Sequence, residues 1–146
     1  MKYLVTGGLG VVGGLFAEER LRAGDSVTVF DAAEKPRNAF VRETLEAVGD
    51  GGTLYVVEGR LERAEPQQLG TLVEWADAVV HAAAHTGIPH SSEDPGDDWA
   101  SNVDATRALL EALRKSGRKV PTVIMSSVKP YSVDGMAHAG EGDRYV

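Results

Sequence analysis

The stretch Thr6-Gly7-Gly8-Leu9-Gly10-Val11-Val12-Gly13 decides the fold of this chain. It lies between a short apolar run, Tyr3 to Thr6, and a helix-like run from Val11 to Ala23, so a strand passes into a helix through it. Glycines at 7, 10 and 13 fall on three-residue steps. The first permits the tight turn, the second lets the backbone come close to a phosphate, and the third allows close packing of helix on strand. N–H groups at the start of the helix, aided by the helix dipole, then suit a pyrophosphate. The bland reading is a generic tight turn, but the placement after a strand and before a helix favours a nucleotide. Asp31 supports that choice. It ends a second β-branched run, Ser26 to Asp31, eighteen residues after Gly13, where a carboxylate can accept hydrogen bonds from adenosine ribose hydroxyls. Its charge would repel a 2′-phosphate, so NAD is favoured over NADP. Lys35 and Arg37 close behind it keep NADP open.

Outward from the turn, short apolar runs alternate with longer helical ones. Val12, Leu15, Phe16 and Leu21 are the apolar set of the first helix, which Gly24-Asp25 closes. Pro36 to Val48 reads as a second helix with Phe40, Val41, Leu45 and Val48 on one face, and Gly49 to Gly52 as a turn. Thr53 to Val57 is a third strand, Pro66 to Trp75 a helix with Pro66 in its first turn, and Ala78 to Ala83 a fourth strand. Thr86 to Asp98 reads as a polar loop. Trp99 to Ser116 is the strongest helix, carrying Val103, Ala105, Leu109, Leu110 and Leu113, and Pro121 to Met125 is a fifth strand. Five strand–helix alternations with near-continuous apolar strands predict an α/β fold, a doubly wound parallel sheet covered on both faces.

Composition narrows the function classes. The chain has 146 residues, 17 of them glycine, no cysteine, and 15 Lys and Arg against 22 Asp and Glu for a net charge of −7. A disulfide scaffold and a thiolate metal site are excluded. Scattered charge with a pI near 5.0 argues against a nucleic-acid partner, which would ask for a basic stripe. No apolar run approaches membrane-spanning length, and the N-terminus has no h-region, so the expected location is cytoplasmic, with no membrane partner.

Four motifs in order resemble the extended short-chain dehydrogenase/reductases of the NAD-dependent epimerase/dehydratase family. They are the three-step glycine turn, Val79-Val80-His81-Ala82-Ala83-Ala84 at the end of strand four, Asn102-Val103-Asp104-Ala105-Thr106, and Met125-Ser126-Ser127 after strand five. The resemblance runs from residue 1 to about 131 and implies a Rossmann fold. It also implies site roles. The backbone at Val11 and Val12 would meet the pyrophosphate, with Gly7, Gly10 and Gly13 shaping the turn. Asp31 would meet the ribose, and Ala82, Ala83 and Ala84 would line the cofactor. Asn102 would hold the loops beneath, and Ser126 would lie beside the cofactor. Ser127, four residues before Tyr131, would be the catalytic hydroxyl, donating to the reacting oxygen of a nucleotide-linked sugar.

Three departures stand against the family pattern. Gly59-Arg60-Leu61 replaces Gly-Asp-Leu beside the adenine, and an arginine cannot accept the hydrogen bond of an amino group. Arg60 would then stack on the base or point into solvent. Pro130-Tyr131-Ser132 replaces Val-Tyr-Gly. The Tyr-x-x-x-Lys pair that moves the proton in such enzymes would fall near position 152, and these 146 residues hold none. The expectation is therefore a Rossmann domain over 1–146, irregular after 126 and ending before the substrate region, inactive alone, from an NAD-dependent epimerase, dehydratase or reductase. The competing reading is a dinucleotide-binding module without turnover.

Smaller signals are read as structural. The four histidines, His81, His85, His90 and His138, lack metal-ligand spacing, so no metal is expected. Trp75 and Trp99 read as packing residues, and Glu93-Asp94 with Asp97-Asp98 as a solvated loop and helix-start charge. By resemblance the long helix pairs two copies, which implies a homodimer and an exposed apolar surface near strands four and five.

Overall fold

The computed structural model describes residues 1–48, 51–86 and 93–127. Five strands, β1 (Lys2–Thr6), β2 (Ser26–Asp31), β3 (Thr53–Glu58), β4 (Ala78–His81) and β5 (Thr122–Ile124), form one parallel sheet in the order β3-β2-β1-β4-β5. Helices α1 (Val11–Arg22), α2 (Pro36–Glu46), α3 (Pro66–Trp75), α4 (Pro95–Trp99) and α5 (Ala105–Ser116) connect or follow them. The chain is doubly wound, as its alternation predicts. Leu4, Phe30 and Val79 pack with Leu69, Val73 and Leu109 on one face of the sheet. Val5, Val27, Val29 and Val80 pack with Leu9, Ala17, Leu21 and Leu45 on the other. Neighbouring strand residues thus point to opposite cores, which is why the strands carry no polar alternation.

Several expected apolar faces are corrected. In α1 the buried residues are Gly13, Gly14, Ala17 and Leu21, while Val12 is exposed and Leu15 is 64% exposed. The helix lies too close to its neighbours for a larger side chain on that face. A Cβ at Gly14 would stand 2.6 Å from Val41 Cγ1, and one at Gly13 would overlap the Gly7 carbonyl oxygen. In α2 Phe40 is 72% exposed, and the buried residues are Asn38 and Leu45.

The expected helix from Trp99 to Ser116 is interrupted. Between α4 and α5 the backbone makes a π turn over Ala100–Asp104. Its extra residue rotates the apolar stripe, so Ala105, Leu109 and Ala112 face the core while Val103 and Leu110 face solvent. Trp99 is 62% exposed rather than packed. Trp75 does pack, edge-on to Tyr55 with ring centroids 6.0 Å apart. The expected loop ends early, because Asp94 caps α4 by accepting from the Asp97 N–H at 2.9 Å. Strand β4 stops at His81 instead of Ala83. Val123, Ile124 and Met125 are exposed, as expected for the surface near β5. Gly49, Asp50, His90, Tyr131 and His138 lie outside the described residues.

Candidate functional site

All five strands are parallel, so their C-terminal ends share one edge of the sheet, and the order reverses between β1 and β4. Ligands of such sheets sit in the crevice at that reversal. Here the crevice is an open cleft. Its lining includes Gly7 and Gly10 from the β1 turn, Asp31 from β2, Arg60 and Leu61 after β3, and Ala82, Ala83 and Ala84 after β4. Eight residues singled out from sequence therefore meet at one place, drawn from four strand ends.

Each piece of the lining has a local cause. Gly7 takes φ 69°, a left-handed conformation that favours glycine, and a Cβ there would stand 2.5 Å from Ala83 N and 2.6 Å from Ala82 C. The bare backbone at Gly7 thus lets β1 and β4 approach each other under the cleft. Gly10 is the N-cap of α1 and offers no side chain as cap, and the first turn of α1 carries no acidic residue. The N–H groups of Val11, Val12 and Gly13 have no carbonyl four residues back within the helix, so the helix opens with donors suited to an anion. A pyrophosphate fits this bare, uncapped turn.

Asp31 is engaged on both oxygens. Oδ2 accepts the Leu9 N–H at 2.9 Å and Oδ1 accepts the Ala33 N–H at 2.9 Å. A carboxylate has about four lone-pair sites, so each oxygen keeps capacity for a ribose hydroxyl. The bond to Ala33 also holds that residue at φ 56°, an uncommon conformation for alanine.

Arg60 does not point into solvent. Its side chain is 18% exposed and pairs with Glu62 through Nε, while Nη2 donates to Asp97 Oδ1 at 2.6 Å and to Ser101 Oγ at 2.7 Å. Glu34 stands 3.7 Å from Nη1. The hydrogen bond that Arg60 donates to Glu62, aided by Asp97, raises the guanidinium pKa further, so this cation is permanent. Residues from the β2 loop, the β3 end, α4 and the π turn are thereby tied at one rim of the cleft. The sequence does not announce this tie, because its polar composition reads as a loop where Asp97 in fact sits on α4.

Asn102 supports the opposite wall indirectly. Its Oδ1 accepts the His85 N–H at 2.8 Å and its Nδ2 donates to the His85 carbonyl at 3.1 Å. His85 itself lines the cleft. Beneath Ala82, the His81 ring is buried between Thr6 and Thr106, at 2.6 Å and 2.9 Å, and burial lowers its pKa. The register Thr6↔His81 between β1 and β4 could have signalled that pair. Ser126 and Ser127 follow β5 and are exposed, outside the lining residues. Among the described residues no acidic or histidine cluster suits a metal, and no helix is long and apolar enough to cross a membrane.

The family model for the NAD dependent epimerase/dehydratase family matches residues 3–142. The chain belongs to this family. Among its relatives, a dTDP-glucose 4,6-dehydratase of Mycolicibacterium smegmatis is 39% identical over 117 residues, 79% of this chain and 33% of that protein. A UDP-glucose 4-epimerase of Streptomyces lividans is 33% identical over 123 residues, 80% of this chain and 33% of that one. The chain thus spans about a third of the length of these family members. In structure it is similar to the UDP-glucose-4-epimerase of Stenotrophomonas maltophila solved with bound NAD and formylated UDP-arabinopyranose. The TM-score is 0.75 at 28% identity, over 88% of this chain and 38% of that one.

Proposed function

We propose that these residues form the dinucleotide-binding part of an NAD-dependent epimerase or dehydratase acting on a nucleotide-linked sugar. The observation that carries the reading is the convergence of the uncapped glycine turn, Asp31 and Ala82 to Ala84 on one cleft. NAD, when bound, supplies a hydride acceptor that is regenerated in the reaction cycle. The chain's own residues bind and orient it. The α1 N–H groups take the pyrophosphate, and Asp31 takes the ribose hydroxyls on its remaining lone pairs. Arg60 closes the rim at the adenine end instead of accepting from the base. Asp31 and Glu34 together disfavour a 2′-phosphate, so NAD is preferred to NADP, although Lys35 and Arg37 line the same cleft.

Ser127 is assigned the hydroxyl that donates to the reacting sugar oxygen, with Ser126 beside the cofactor. Both roles rest on the family pattern. Pairing of two copies through the exposed side of α5 and the surface near β5, and a cytoplasmic location, belong to the same reading. A second reading has one specific observation in its favour. None of Tyr3, Tyr55 or Tyr131 is followed four residues on by lysine, so these 146 residues bind the dinucleotide without turning over a sugar.

Calorimetric titration separates these ideas. NAD is expected to bind and NADP to bind about tenfold more weakly, the effect of one unfavourable charge contact. Absence of heat and of thermal shift with both dinucleotides overturns the dinucleotide reading. Turnover of a nucleotide sugar that is lost in Ser127→Ala would overturn the binding-module alternative.

A further inference from the structure

Leu9, in the middle of the glycine turn, is held at three points. Its N–H donates to Asp31 Oδ2 at 2.9 Å, its carbonyl accepts from Asn38 Nδ2 at 2.7 Å, and its side chain is buried in the core under α1 and α2. The neighbours Gly8 and Gly10 have no side chains with which to fix themselves. Gly10, which starts α1 and lines the cleft, is tied only by backbone bonds, its N–H to the Gly7 carbonyl at 3.0 Å and its carbonyl to the Gly14 N–H at 2.9 Å. The direction in which the first N–H groups of α1 point is therefore inherited from Leu9.

Asn38 is itself buried, which is costly for an amide unless each polar atom finds a partner. Both do. Oδ1 accepts the Lys35 N–H at 2.7 Å, so Nδ2 must be the atom that faces the Leu9 carbonyl. With the Asn38 N–H donating to the Lys35 carbonyl at 2.8 Å, the first turn of α2 forms a closed unit that carries the amide donor to the turn. We propose that Asn38 is a positioning residue for the phosphate-binding turn, acting on the pyrophosphate of the dinucleotide through Leu9. It rests on the reading of the cleft as a dinucleotide site. Asp31 and Asn38, from β2 and α2, hold the two backbone groups of one residue, so the ribose-reading carboxylate and the phosphate-reading turn are set in register with each other.

Asn38→Asp separates the two roles of the side chain. It keeps an acceptor for the Lys35 N–H, removes the donor to Leu9 and sets a carboxylate oxygen against the Leu9 carbonyl. The ligand-free exchange measurement, in which no pyrophosphate is present to be repelled, therefore decides between a moved turn and charge repulsion. Asn38→Ala removes both. Two measurements are made on the whole chain. In titrations, Asn38→Asp is expected to weaken NAD about tenfold, the loss of one buried hydrogen bond, and adenosine by less than about twofold, since adenosine has no phosphate to sense the turn. In ligand-free amide hydrogen exchange, the Leu9 and Gly10 amides are expected to exchange about tenfold faster, while Val27 and Val29 in β2 keep the wild-type rate. Equal weakening of NAD and adenosine, or unchanged exchange at Leu9, overturns the proposal. Failure of the wild-type chain to bind NAD overturns the dinucleotide reading instead, and the exchange arm still decides whether Asn38 holds the turn. Should Asn38→Ala fail to fold, Asn38→Asp, which retains the α2 cap, carries both measurements.

Discussion

Gly13→Ala is expected to destabilise the chain by about 2 kcal/mol and to weaken NAD by more than tenfold, although alanine is the better helix former. Gly13 lies in the first turn of α1, on the buried face, and its backbone is ordinary helix. By propensity alone the substitution would stabilise by up to about 1 kcal/mol. Packing reverses the sign. A Cβ there would overlap the Gly7 carbonyl oxygen and stand 2.9 Å from Gly7 C and Gly8 Cα, all of it backbone. No rotamer change relieves a clash between two main chains. Helix α1 must retreat from β1, which opens the turn through which Gly7 and Gly10 line the cleft. Gly70→Ala is the matched control. Gly70 is also helical, in α3, and a Cβ there meets nothing within 4 Å. That variant should gain up to about 1 kcal/mol. Chemical denaturation of both variants checks the pair, and a Gly13→Ala chain as stable as wild type would sink the account.

The glycine turn was legible because its requirement is local. A chain that must turn left-handed and approach a strand closely shows glycine at fixed steps whatever surrounds it. Helix α3 was legible for a similar reason, with Pro66 setting its start. The buried face of α1 was legible only at its end, where Leu21 is buried, because counting apolar residues favours Val12 and Leu15, whereas the first two turns bury Gly13, Gly14 and Ala17. Asn38 was also hidden, since a polar residue in a helix reads as solvated and its partner Leu9 lies 29 residues earlier. Arg60 was recognised as a departure, but its partners Asp97 and Ser101 come from α4 and a π turn that periodicity cannot announce. The strand-end residues that line the cleft are thus readable from sequence. The side chains that hold them come from other elements and require the fold.

Replacing the buried His81 with leucine is expected to cost about 2 kcal/mol at neutral pH and to remove a distinct part of the chain's acid sensitivity. The hydrogen bonds fix the tautomer. Thr106 Oγ1 donates to the Asn102 carbonyl at 2.7 Å, so it can only accept from His81 Nε2. Nδ1 then accepts from Thr6 Oγ1, whose residue is fully buried. The neutral ring satisfies every group in this chain, and leucine would leave the Thr6 hydroxyl buried without its acceptor. Burial lowers the folded pKa below the ordinary 6.5, so below that pH the unfolded chain takes up a proton that the folded chain refuses. Stability from this group is therefore complete above pH 6.5 and falls as the pH drops toward the folded value, by at most about 1.4 kcal/mol per pH unit. His81→Leu should be less stable than wild type at pH 7.5 and lose less on acidification through that window. Because the folded ring stays neutral through that window, NAD affinity of the folded chain should hold there and decline only below the folded value, where protonation would act on the wall formed by Ala82, Ala83 and Ala84. Denaturation curves from pH 7.5 to 5 on both chains measure this. Parallel curves would show that His81 does not titrate between the folded and unfolded states.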